Sequence, residues 1–428
     1  MASPAKRRRA EDDAAPSALE SLPSHVFATI LQRAGARGAA ALASASATLR
    51  AAASAEAHWR RFCAEDIGID APVDPDGRLL PFFKEAYKSW SQSFRMYPLP
   101  LVKRVKSFWN SLKSWLSEYY PDALETLAEG LPDFDIRSAE LKLGCLLPLP
   151  TKLLYRFCNG QIWNEHLASC GIMGGYEFNF GMVNVHLLSL NDAVKTAKML
   201  SREHHGVLNI YRYIVVAKSS SQEKMFVLDC LSGQLYVGTE NLKSLGETMP
   251  CVPYSLISLH MDAQNHMPQD GLLLWLEEHL RRLQGGLINL RCYNHLNLSN
   301  SRHISLFPEM PPSCSSVLRM VCASAVFVME KSTTGEDPCK YVYNYCIHLS
   351  IPEACIVEGV HYSSCQISSY DLMITSGDDV VHDGQEYQGR FVNLEKGGHM
   401  VKYGRYKLPS MEPASVEGTI TLVSIAKN

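Results

Sequence analysis

The sequence predicts a multidomain α+β protein in three blocks: a small helical front, a mixed α/β middle and a C-terminal antiparallel β-sandwich. Three observations carry this. The chain has 428 residues, and a single core rarely grows past roughly 250, so about three domains are expected. Apolar residues recur at helical spacing from about 22 to 131. Beyond about 317 the texture is short, β-rich segments separated by Gly, Asp, Pro and Ser, the pattern of a sandwich.

Residues 1–17, "MASPAKRRRAEDDAAPS", are polar, charged and rich in Pro and Ala, and are read as a disordered tail. They hold a basic run, Lys6-Arg7-Arg8-Arg9, but no apolar stretch behind it, so they are not a secretory signal. The run is a candidate nuclear-localisation signal, and nucleus and/or cytoplasm are the expected compartments.

Residues 18–68 open on Leu22-Pro23, where a proline in the first helical turn removes an N–H that would be unpaired anyway. Val26, Phe27, Ile30 and Leu31 form an apolar stripe, Leu42 and Leu49 stand in an Ala/Ser-rich segment, and Trp59 and Phe62 close the block. A chain of about fifty residues buries too little surface to be comfortable alone. Three short helices with so few large residues read as a docking module, with a helical cap on the next domain as the alternative.

The break "APVDPDGR" (71–78) is turn-rich, and Leu101, Val105, Phe108, Leu112, Leu116 and Tyr119 then mark a long amphipathic helix. In the middle block, 79–284, "LPTKLLYRFCNG" (149–160) reads as a helix ended by Asn-Gly. "YRYIVVAK" and "MFVLDC" read as a hairpin joined through 219–223, and a further helix is expected from about Gln269 to Leu283. The proline-bearing 302–316 reads as a linker, and 317–428 as the sandwich.

Composition excludes several functions. Net charge is −3, which argues against bulk binding to nucleic acid or anionic membrane. No apolar run approaches the roughly 18 residues of a spanning helix. The thirteen cysteines contain no Cys-x-x-Cys, and Cys339, Cys346, Cys355 and Cys365 fit no zinc spacing, so reduced packing thiols in a soluble intracellular protein are expected. Gly171, Gly174 and Gly175 lack the Lys-Ser/Thr of a phosphate loop and read as a turn. His204-His205 are neighbours facing different sides of an element. Asp378, Asp379, His382 and Asp383 form an acidic loop cluster that reads as solvated. With no His-Glu-x-x-His and no Gly-x-Ser-x-Gly, no catalytic residue, metal or cofactor is expected.

The pattern Leu22-Pro23-x-x-Val26, Ile30-Leu31, Leu42, Leu49, Trp59-Arg60 resembles an F-box, the motif that binds the Skp adaptor of cullin–RING ubiquitin ligases. The resemblance implies an adaptor-side surface, or its direct support, at Leu22, Pro23, Val26, Ile30, Leu31, Leu42 and Trp59. Alanine replaces the bulky residues usual in its middle, which keeps helix propensity but removes contact area. "LPLPTKLLYRFCNGQ", "GIMGGYEFNFG", "HLLSLNDAVKTAKML" and "MFVLDCLSGQLYVG" resemble the Smi/Knr domain, an α/β interaction module. "VYNYCIHLSI", "SSYDLMIT" and "PSMEPASVEGTITLV" resemble ApaG, a fibronectin-like sandwich. Its Arg-His-Trp run is here Tyr370, Asp371 and Leu372, and its glycine turn is "GQEYQG" (384–389), with Glu386 in place of the central glycine. That side chain blocks close backbone approach to phosphate, against a nucleotide-binding enzyme.

The order of the three resembles F-box proteins of the plant Skp-interacting-partner type. It implies a non-catalytic substrate receptor that joins an unknown protein target to the Skp adaptor and, through it, to cullin and RING subunits. The alternative is a scaffold working outside the ligase.

Overall fold

The computed structural model describes residues 19–163, 170–178, 181–203, 212–219, 224–238, 248–260, 267–293, 301–309, 320–328, 332, 341–350, 355–357, 360–362, 364–376, 379–386, 393–395, 399–408 and 414–424. The basic run Lys6–Arg9, the His204-His205 pair, Cys339 and Asp378 lie outside them. The chain divides into two compact units, Met1–Ser107 and Phe108–Asn428.

The first unit is helical. It contains α1 (Ser24–Ala45), α2 (Ala47–Ala53), α3 (Glu56–Phe62), a single π turn at Cys63–Ile67, α4 (Phe83–Ser93) and the start of α5 (Leu99–Tyr119). Gly35, at φ 66° and ψ −173°, splits α1 in two, a conformation that a residue with a Cβ resists. Ser46 starts α2 by accepting the Leu49 N–H on its hydroxyl at 3.1 Å. The break at 71–78 is a tight turn, in which the Asp74 carboxylate accepts the Asp76 and Arg78 N–H groups at 3.0 and 2.8 Å and Gly77 takes φ 82°.

In the second unit α6 (Pro121–Glu125), β1 (Leu127–Glu129), α7 (Asp133–Leu143), α8 (Leu149–Phe157) and β2 (Cys158–Gln161) precede the main sheet. That sheet has six strands in the order β3 (Gly175–Phe178), β4 (Gly181–Leu187), β5 (Tyr213–Ser219), β6 (Met225–Asp229), β7 (Leu235–Gly238) and β8 (Met249–Pro250). Every pairing is antiparallel, and the expected hairpin is β5 on β6, Ile214 opposite Leu228. β5 and β6 are buried along almost their whole length, because α9 (Leu190–Glu203), inserted between β4 and β5, packs on β5. α10 (Gly271–Gln284) packs against α8.

The Asn-Gly expected to end α8 does something else. α8 stops at Cys158, whose φ −157° and ψ 125° are extended, and Asn159-Gly160 continue as strand β2. Gly160 sits at φ 70°, where a Cβ would lie 2.3 Å from the Leu188 carbonyl oxygen. Gly160→Ala is therefore expected to cost about 2–4 kcal/mol through combined backbone strain and backbone overlap. Urea unfolding would read this, and a loss below about 1 kcal/mol would refute the close approach. Gly174 at φ 79° belongs to a turn entering β3, in keeping with the reading of 171–175 as a turn.

The stretch expected as a linker from 302 is structured as far as 309. β9 (Leu290–Tyr293) pairs with β10 (Ser301–Ile304), and Ser305 bridges Gly175 in parallel. Phe307, 1% exposed, joins Tyr176, Val183, Val328, Val342 and Cys346 in one apolar cluster, so the middle and C-terminal regions share a core. Sequence reading missed this because prolines at 308, 311 and 312 masked the single buried aromatic just before them.

The C-terminal strands are β11 (Met320–Phe327), β12 (Tyr341–Ser350), β13 (Cys355–Val357), β14 (Val360–Tyr362), β15 (Ser364–Ser376), β16 (Asp379–Glu386), β17 (Asn393–Glu395), β18 (His399–Leu408) and β19 (Ala414–Ser424). They form antiparallel ladders: β11-β12-β18 in one sheet, β15 with β16, β17 and β19 in another, and β13 on β14. His382 and Asp383 fall within strand β16 rather than in a loop. The molecule is thus mixed α and β, as expected.

Candidate adaptor-binding surface

The site begins at Pro23, whose carbonyl accepts the Val26 and Phe27 N–H groups at 3.0 and 3.1 Å and so launches α1. Helical spacing then sorts the stripe. Phe27 and Leu31, four apart, turn inward at 6% and 0% exposure, while Val26 and Ile30, each one residue earlier, are half-buried. Leu22 is also half-buried and Pro23 is exposed. The result is an apolar ledge, Leu22, Pro23, Val26 and Ile30, lying over a buried Phe27/Leu31 floor.

The alanine-rich middle is not blank. Ala36, Ala39 and Ala43 repeat on one face and are all buried, as are Leu49 and Ala53 on α2, and α1 packs closely on α2 and α3. Small side chains let the helices approach, while Ala40, Ala41, Ser44 and Ala45 face outward. Leu42 is half-buried.

Trp59 lies inside the unit. It is 4% exposed, donates its indole N–H to the Ala53 carbonyl at 2.8 Å, and meets Phe62 and Tyr87 edge-on at 5.7 and 5.5 Å. The Lys84 ammonium stands 5.5 Å over its ring. Glu56 accepts the Phe83 N–H at 2.7 Å, and Tyr87 donates to Asp66 at 2.8 Å. Burial, then the nearby Asp66 and Glu56 charges, pushes the Cys63 thiol up to about 12, so it packs as a neutral group. The back of the front helices is thus completed by α4 of the same chain, which spacing alone does not reveal. Of the residues singled out from sequence, Leu31 and Trp59 are interior supports and Leu22, Pro23, Val26, Ile30 and Leu42 reach solvent to differing degrees. Leu79, Phe82 and Met96 are further exposed apolar side chains of this unit that no periodicity marked.

Alongside a cleft of about 780 Å³ at Asn110, Trp115 and Arg302, two further clefts lie among the described residues of the second unit. One, about 480 Å³, is lined by Trp163, His186, Met199, Lys195 and Lys218, with the half-exposed Trp163 edge-on to His186 at 5.0 Å. The other, about 780 Å³, runs from Lys224, Phe226 and Trp275 to Phe327. Lys224 is buried over the Tyr176 and Phe226 rings at 4.9 and 6.0 Å, and desolvation brings its ammonium down to about 8. No group of His, Cys, Asp and Glu arranged to hold a metal occurs among the described residues. None of the described helices is long and apolar enough to cross a membrane.

His279 stacks on Trp275 at 4.9 Å, its Nε2 lies 2.9 Å from the Ile172 carbonyl, and burial lowers it to about 4. Burial, with Arg291 nearby, does the same to His303. A folded-state pKa below the unfolded 6.5 means stability is complete above about 6.5 and is lost as pH falls toward 4, where the unfolded chain takes up the protons. Each histidine is expected to remove on the order of 3 kcal/mol across that window. Urea unfolding of wild type and His279→Gln/His303→Gln from pH 7 to 4 checks this. The double variant should lose much of the acid slope, and an unchanged slope would refute it.

The sequence of F-box protein SKIP16 from Arabidopsis thaliana is 40% identical over 415 residues, 95% of this chain and 93% of that protein. The chain belongs to the F-box protein family. Human F-box only protein 3 is 28% identical over 185 residues, 43% of this chain and 37% of its own length. The bovine F-box only protein 3 is 27% identical over 227 residues, 50% of this chain and 46% of its own. No protein-family model matches the chain.

Proposed function

We propose that this F-box protein is the substrate-recognition subunit of a Skp–cullin–F-box ubiquitin ligase. Residues 18–68 act as the F-box, with Leu22, Pro23, Val26, Ile30 and Leu42 toward the Skp adaptor and Leu31 and Trp59 holding that surface in shape. The cullin and RING subunits follow through the adaptor. The Smi/Knr-like part of 79–284 and the ApaG-like sandwich of 317–428 hold the target protein, and the clefts of the second unit offer it concave surfaces. The chain supplies no reactive group. It raises the local concentration of a target lysine near the ubiquitin thioester of a conjugating enzyme. It works in the nucleus and/or cytoplasm, without nucleic acid, membrane or cofactor.

The observation that carries this reading is the half-open apolar ledge on α1 in a chain of the F-box family. A specific interface buries roughly 1,600 Å² in total, more than four side chains supply, so exposed residues beyond the ledge take part. The scaffold alternative, outside the ligase, draws on the outward Ala40, Ala41, Ser44 and Ala45, which offer an adaptor little area. Co-expression with a Skp adaptor separates the two. A complex that survives size exclusion and accepts cullin–RING supports the receptor, and a full-length chain that binds no Skp adaptor overturns it.

A further inference from the structure

A lysine lines a cleft of the second unit whose walls are mostly apolar. Lys224 immediately precedes β6, and its backbone is fixed against the end of β5. Its N–H donates to Ser219 Oγ at 3.0 Å, and its carbonyl accepts the Ser219 N–H at 2.8 Å. The ammonium stands 4.9 Å over the Tyr176 ring and 6.0 Å over that of Phe226, in the cleft of about 780 Å³ that reaches Phe327 on β11. Phe226 meets Trp275 of α10 at 5.3 Å, and Val237, Leu274 and Ile288 continue the lining. Arg281 and Arg282, both exposed, donate to the one Glu278 carboxylate at 2.7–2.8 Å. With Glu277, the lining holds three basic side chains, Lys224, Arg281 and Arg282, against two acidic ones, so its charge is positive.

An ammonium among rings and aliphatic side chains has lost most of its water, which disfavours the charged form. A carboxylate offsets that loss, because attraction between opposite charges grows as water is excluded. The rest of an occupant has to be apolar to match the walls. The lining also runs out onto Pro250, Pro253 and Leu256, all exposed. A ligand that follows it lies partly outside the cleft, as a peptide segment does and a small molecule enclosed over most of its surface does not. The geometry points to this cleft as the docking site for a segment of the target protein that carries one Asp or Glu side chain among apolar residues, its carboxylate seated on Lys224. The inference deepens the receptor reading and rests on its assignment of target binding to the second unit.

An array of N-acetylated, C-amidated heptapeptides, with varied apolar residues around a central Glu, tests it on the full chain against the same array with Gln. Capping leaves the side chain as the one carboxylate. The best Glu peptides are expected to bind at least about tenfold tighter than their Gln counterparts. Lys224→Met, close in volume, should bring the two sets together. Leu256→Asp, an exposed change at the rim, should weaken both sets and the Glu set more, which keeps the test decisive even where Lys224→Met does not fold. The inference is overturned if no Glu peptide binds in preference to its Gln counterpart, or if a folded Lys224→Met chain keeps the preference. It is also overturned if dodecanoate, an apolar carboxylate of small size, binds while no peptide does, or if Leu256→Asp instead breaks a dimer of the chain. Co-purification with a Skp adaptor separates the two failures: loss of peptide preference leaves the adaptor bound, whereas a wrong receptor reading shows as absence of adaptor with the peptide preference intact.

Discussion

Val26→Asp/Ile30→Asp is expected to leave this F-box protein folded and without adaptor. Both positions are half-buried on the outer edge of α1, while the floor beneath is Phe27 and Leu31. A carboxylate at each place stays in water in the free chain and costs it little. In a complex the same carboxylates would be desolvated against an apolar partner without a compensating charge, a penalty of several kcal/mol each. Two such penalties lower affinity by at least about a thousandfold, enough to abolish co-purification. Circular dichroism and the second unit's unfolding midpoint should match wild type. Retention of the adaptor by the double variant would move the interface off this ledge and remove the main support for the ligase reading. Loss of folding in the variant would instead show that Val26 and Ile30 are core.

Asp270→Ala is expected to destabilise the second unit by about 3–5 kcal/mol. Asp270 is fully buried, and its carboxylate caps α10 by accepting the Leu273 N–H at 2.9 Å. It also accepts the Thr151 N–H at 3.0 Å and the Thr151 hydroxyl at 2.7 Å, in the first turn of α8. One carboxylate therefore serves two helix N-termini, where negative charge is favoured. Burial outweighs these bonds and raises its pKa, so the group is held at a cost that only intact partners offset. Alanine leaves three buried donors without an acceptor. Asp270→Asn, which keeps an accepting oxygen, should recover a substantial part of the loss. Urea unfolding reads both, and a loss below about 1 kcal/mol for alanine would refute the shared cap.

Asp270 also shows where sequence reading stops. The sequence places a helix from about Gln269 but not its cap, which the structure assigns to Asp270, three residues before the Leu273 N–H it accepts. Thr151, the second client of the same carboxylate, lies 119 positions away, and no local pattern marks it. Gly160 is similar. Asn-Gly is a common helix stop, but the tertiary demand for backbone beside Leu188 converted it to strand. In the front unit, the i, i+4 rule correctly gathers Val26 with Ile30 and Phe27 with Leu31. It does not say which pair faces inward, since that depends on where α2 and α3 lie.

By itself, the sequence determined the mixed α and β character, the start of α1 after Leu22-Pro23, the β5–β6 hairpin and the kinship with F-box proteins, because each rests on local spacing or on a pattern of residues. Only the tertiary structure decided that Trp59 supports from within, that alanines 36, 39 and 43 form a packing face, and that Phe307 ties the middle and C-terminal regions together. Those are contacts between segments whose separation along the chain leaves no periodic trace, and they exist only once burial brings the segments together.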